Sequence, residues 1–159
     1  MRAFLLIVTA IASLVVAGPA SATPMEGVRG SGIFEFSASG FQLKYTVALD
    51  ATRTPSGAIA GRIDFFVRGG ELIDFGWLQA EPKYLEVTGN TACIVGEITK
   101  LTGWYDSPIT TVVKVVDVPG GPDGFRVLNI YGPIDPAYAC TWIVGAYWSI
   151  TGGNFTVLP

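Results

Sequence analysis

The stretch LEVTGNTACIVGEIT, residues 85–99, sets the fold class. Gly89-Asn90 stands between two runs in which apolar and polar residues alternate. A two-residue Gly-Asn connection suits a type II′ hairpin turn, because glycine supplies the positive φ at its first central position. Folding the chain there sets Thr88 opposite Thr91, Val87 opposite Ala92, Glu86 opposite Cys93 and Leu85 opposite Ile94. Successive strand side chains point to opposite faces. Leu85, Val87, Ala92, Ile94 and Ile98 therefore share one apolar face, while Tyr84, Glu86, Cys93, Val95 and Glu97 share the other. A cysteine away from the apolar face is poorly placed as core filler, so Cys93 is expected to have a covalent partner.

Working outward, the same alternation recurs. Strands are expected at 32–38, 41–49, 58–67, 71–79, 109–118, 125–131, 138–148 and 154–158, besides the hairpin over 83–102. In FQLKYTVAL, Phe41, Leu43, Tyr45, Val47 and Leu49 line one face; in AIAGRIDFFV, Ile59, Ile63, Phe65 and Val67 oppose Arg62 and Asp64. Loops rich in turn formers, DATRTPSG (50–57) and PGGPDG (119–124), separate the runs. About ten short strands with Gly/Pro turns and almost no helix signals indicate a single all-β antiparallel domain. A barrel is preferred over a sandwich, since closure removes exposed edges.

The N-terminus points to export. Met1-Arg2, an apolar run over 3–17 and Ala20-Ser21-Ala22 form the charged start, core and cleavage pattern of a signal peptide. The expected organisation is a signal peptide at 1–22, an N-terminal segment at 23–30 and the β domain at 31–159. The apolar run is short for a bilayer span, and no later segment qualifies. Net charge is −3 for the whole chain and −4 without the leader's Arg2, with no basic run, which argues against nucleic acid. Export to an oxidising space favours pairing of the only two cysteines, Cys93 and Cys140.

GSGIFEFSAS, LEVTGNTACIVGEIT, the VVDVPGGPDGF loop and the terminal GGNFTV occur here in an order that resembles a group of small exported bacterial proteins, mostly actinobacterial. That group carries an L-x-V-x-G-N hairpin and a G-N-x-T-V terminus. The resemblance covers most of the chain after the leader and implies no activity, cofactor or catalytic residue. In that group a cysteine is expected just before the L-x-V-x-G-N stretch; here Tyr84 stands there, and Cys93 lies across the hairpin.

Chemistry is sparse. The chain has no histidine, so Ser-His-Asp and Cys-His arrangements cannot form, and two cysteines are too few for a Cys₄ zinc site. No P-loop or dinucleotide fingerprint is present, GVRGSG (27–32) included, and neither a cofactor nor a metal is expected. Asp64 and Asp74 form a conceivable carboxylate pair, more simply read as strand-face charge or a partner for Arg62 or Arg68. Asp117 and Asp123 flank VPGGP without the spacing of a calcium loop. Aromatics are numerous: Trp77, Trp104, Tyr105, Trp142, Tyr147 and Trp148. Most are expected in the core, with Trp104-Tyr105, in a loop before Asp106-Ser107-Pro108, as possible ligand contacts. The expected function is a secreted non-catalytic module that binds an extracellular ligand or protein or serves a structural role. The alternatives are a barrel whose cavity binds or isomerises a small apolar molecule, and a carbohydrate-binding module.

Overall fold

The computed structural model describes residues 25–38, 41–69, 75–103 and 107–159. The leader, Asp74 and the Trp104-Tyr105 pair lie outside them. The described chain is all-β apart from one short helix. Strands β1 (Gly27–Ala38), β2 (Phe41–Arg53), β3 (Ile59–Arg68), β4 (Phe75–Thr88), β5 (Thr91–Thr102), β6 (Thr110–Val116) and β7 (Gly124–Ile130) form an antiparallel meander. Helix α1 (Pro136–Trp142) follows, and then β8 (Trp148–Ser149) and β9 (Gly152–Leu158). The sheet order is β8-β7-β6-β5-β4-β3-β2-β1-β9.

The last two strands thus occupy opposite edges, with only Ile150-Thr151 between them. A flat nine-stranded sheet could not be spanned by so short a link, and the sheet curls into a half-barrel. Where the edges meet, side chains replace the missing ladder. Asp123 accepts from the Phe155 amide at 2.6 Å and the Val118 amide at 2.9 Å, and Asp117 accepts from the Val157 amide at 3.1 Å. The Thr151 amide donates to the Ile33 carbonyl at 2.7 Å, and the Ile150 amide to that of Asp123 at 3.1 Å.

The opening hairpin has the expected register, from Thr88↔Thr91 to Leu85↔Ile94, and Gly89 takes φ 59°. Its apolar face joins the main core. Phe125 on β7 packs against Phe34 on β1, Phe65 on β3 and Phe155 on β9, with ring centroids 5.1, 5.7 and 6.2 Å apart. Strands so far apart in the sheet meet only across its concave side, so this is the inner face. Phe34 also stacks on Tyr45 and Trp148 at 4.6 and 5.4 Å. Of the inward sets expected on β2 and β3, Val47, Leu49, Ile63 and Phe65 are buried, with Tyr45 and Ile59 packed against them.

Four expectations are corrected. Residues 138–148 are not a strand: Asp135 caps a helix through the Tyr138 amide, Pro136 opens it, and only Trp148 of that run enters a strand, the two-residue β8. The described part of the strand expected at 71–79 and the first arm of the hairpin expected over 83–102 are one strand, β4, which carries Pro82 through a register shift between Pro82 and Tyr84; residues 71–74 lie outside the described residues. A bulge is where a strand tolerates the amide that proline lacks. β2 runs on through Asp50–Arg53, so the loop expected at 50–57 shrinks. GVRGSG likewise belongs to β1, which starts at Gly27 and not at the expected residue 32. Its Gly30 and the Gly153 of β9 have φ of 141° and 96°, and a Cβ on either would lie 2.1 Å from a carbonyl oxygen of the other strand. Only glycine permits that approach.

Candidate functional site

The outer face of β4–β7 carries a second, smaller cluster. Cys93 and Val95 of β5 and Val112 of β6 are covered by Ala139, Cys140 and Ile143 of the α1 segment, with Tyr84, Leu128, Ile130 and Ile134 around them. A seven-residue helix is marginal by itself. Here it is held by this packing and by Cys93 and Cys140, whose sulfurs are at disulfide distance, 2.06 Å, with Cα atoms 6.1 Å apart. Cys140 therefore reaches Cys93 from a helix laid over the sheet. Tyr84 sits beside the pair and donates to Glu86 at 3.3 Å.

The helix's other side faces water. Tyr138 and Trp142, one turn apart, are 58% and 47% exposed and meet edge to face at 5.4 Å. Val144 beyond them is also exposed. Two clefts flank α1. The first, about 400 Å³, has its floor on β4–β6 and is lined by Glu86, Thr88, Thr91, Lys114, Thr141 and Tyr147 beside the cysteine pair. The second, about 350 Å³, lies between β5 and the 133–136 turn.

Their electrostatics differ. Lys83 of the second cleft pairs with Glu81 at 2.8 Å and Glu97 at 3.6 Å, so its cation is already committed, and Lys83 is pushed above the ordinary lysine range chiefly by its bond to Glu81. In the first cleft, Glu86, Cys93, Lys114 and Arg126 stand in one cross-strand row. Arg126 donates to the Ala146 carbonyl at 3.0 Å. Among the described residues Lys114 has no ion pair and Glu86 accepts a side-chain hydrogen bond from Tyr84 alone. Tyr147 packs over Gly124, where a Cβ would lie 2.9 Å from its own Cβ, so the floor is flat enough to seat the ring. Burial raises the Tyr147 phenol above its usual value, with Arg126 opposing, so it stays a neutral hydroxyl.

The other candidates are distributed elsewhere. Asp64, nearly buried, bonds Arg62 at 2.5 Å and Gln79 at 3.1 Å, the partner role that was the simpler reading. Asp117 and Asp123 serve the seam. Among the aromatics, Trp148 is on the inner face, Trp77 stacks on Phe66 under Lys100 on the outer face, Tyr147 lines the first cleft, and Trp142 stands exposed against Tyr138. Sequence reasoning did not single out Glu86, Lys114 or Tyr138 as site residues, and Trp142, one of the aromatics expected mostly in the core, is exposed; for Tyr138 and Trp142 the signal was the Asp135-Pro136 helix start, which turns an aromatic run from strand to helix. No group of three or more metal-binding side chains occurs among the described residues. No described helix is long and apolar enough to cross a membrane. No family model, curated protein or solved structure matches the chain.

Proposed function

We propose that the chain is an exported, non-catalytic β module that binds its ligand on the outer face around α1. One observation carries this reading: the inner face is occupied by packed rings, while the accessible features are the clefts and exposed aromatics beside the helix. Export is supported by the N-terminal charged–apolar–small pattern and by the paired cysteines. Functional sites on a rigid scaffold fit the helix's anchoring by cysteine and packing together.

A second reading, a ligand inside the half-barrel, draws on a different observation. Thr111 Oγ1 and Asn129 Oδ1 are buried on facing positions of β6 and β7, on the inner side, without a hydrogen-bond partner. Titration of the leaderless protein with an environment-sensitive apolar fluorophore separates the two. Under the proposal the probe shows no saturable signal. Saturable binding that Thr111→Val abolishes would place the ligand inside and overturn it. Export is checked by the mass of protein recovered from the medium of a bacterial host, expected to begin at Thr23.

A further inference from the structure

We infer that the cleft beside Cys93 and Cys140 is a saccharide site. The inference rests on the binding-module reading and names its ligand class. Three features of the cleft converge on a polyhydroxylated ligand. First, its charged groups are of both signs and uncommitted to each other: Glu86 and Lys114 lie two strands apart, about 10 Å between backbones at normal strand spacing. A purely anionic ligand would meet Glu86, and a purely cationic one Lys114. A sugar, with hydroxyls that donate and accept, satisfies both, and charge-assisted bonds to such hydroxyls are the stronger kind.

Second, Thr88 and Thr91 present side-chain hydroxyls along the same wall with no hydrogen bond among the described residues. The Thr141 hydroxyl is by contrast committed to the Tyr138 carbonyl at 2.7 Å and serves as shape only. Third, Tyr147 offers an aromatic face fixed in place by Gly124, the kind of surface that packs against the apolar side of a sugar ring. The volume, about 400 Å³, is in the range of small-ligand sites, and the lining mixes polar groups with apolar surface, as a sugar's hydroxyls and ring faces require. The second cleft lacks this character because Lys83 is already paired.

The test is a glycan array probed with the mature protein, disulfide intact, followed by amide and side-chain NMR titration with the best mono- or disaccharide. The expected result is fast-exchange binding with shifts concentrated at Thr88, Thr91, Lys114 and Tyr147. Lys114→Ala and Glu86→Gln should each weaken it about tenfold, as for loss of one charged hydrogen bond. Lys44→Ala, on a distant part of β2, should leave affinity unchanged, and thermal midpoints check that each variant is folded. Absence of any saccharide binding at millimolar concentration overturns the proposal. Binding that shifts residues elsewhere and ignores both substitutions overturns the cleft assignment while leaving the binding-module reading in place. Saturation by free zwitterionic amino acids in preference to sugars also overturns the ligand class. Failure of the binding-module reading itself is registered separately, by saturable uptake of the apolar fluorophore.

Discussion

Replacing Asp123 with alanine removes the central clasp of the seam. The carboxylate is 2% exposed and forms no ion pair among the described residues. Its stabilisation comes from two backbone amides, the fully buried one of Phe155 at 2.6 Å and the partly accessible one of Val118 at 2.9 Å. Alanine leaves the Phe155 N–H without an acceptor at a cost of roughly 2 kcal/mol, while the Val118 N–H recovers part of its bond from water and adds about 1 kcal/mol. The expected loss is about 3 kcal/mol, with Asp123→Asn near half of that because one carbonyl oxygen survives. Asp117→Ala, which removes a single part-buried bond to Val157, should cost about 1 kcal/mol. Urea unfolding followed by tryptophan fluorescence reads the stability, since Trp148 stacks on Phe34 close to the seam. Hydrogen exchange gives the local signature, with the Phe155 and Val157 amides losing protection before those of β4 and β5. If Asp123→Ala changes stability by less than 0.5 kcal/mol, as an ordinary surface substitution would, the seam does not depend on this carboxylate and the account of closure is wrong.

Removing both cysteines should cost up to about 4 kcal/mol by loop-closure entropy across a separation of 47 residues, and labelling the unfolded, unreduced protein should find no free thiol. Gly30→Ala, which forces a Cβ against the Asn154 carbonyl, should cost about 3 kcal/mol in urea unfolding, whereas Gly57→Ala, with open space around it, should cost less. Burial holds the Tyr45 phenol above its ordinary value of about 10, so the folded state keeps the proton that the unfolded chain releases. Stability should therefore fall as pH rises above 10, tracked by tyrosinate absorbance, and an unchanged urea midpoint there would contradict the burial. Tyr138→Ala and Trp142→Ala should each cost no more than about 1 kcal/mol thermally, because their rings cover no core.

Period-two alternation made β2, β3 and the 85–99 hairpin legible down to individual cross-strand partners, because each strand has one inner face to bury. The same rule failed where a second outer layer existed. Residues 138–148 combine β-branched and aromatic side chains, and the local preference for a strand hid the helix start at Asp135-Pro136. Glu81-Pro82 resembled a break because proline ends regular pairing; a bulge within β4 absorbs it. The seam was invisible for another reason. Asp117 and Asp123 are ordinary turn residues in sequence, and their partners lie 40 and 32 residues further along. The first cleft was hidden too, since Glu86 and Lys114 share a strand face with Cys93 but become a cleft only where the helix supplies a wall.

The two-residue link between β8 and β9 also sets the order in which this molecule can be finished. A chain emerging N-terminus first has β1 available long before its neighbour: Ile33 waits 118 residues for Thr151. Until 152–158 arrive, β1 offers an unpaired edge and the ring-lined interior stays open, the state in which sheets recruit strands from other molecules. A hinge as short as Ile150-Thr151 makes exchange of β9 between two copies geometrically simple, each terminal strand completing its neighbour. Molecules truncated before Gly152 would be acceptors without a donor strand, and full-length molecules crowded while still incomplete would pair through this terminus.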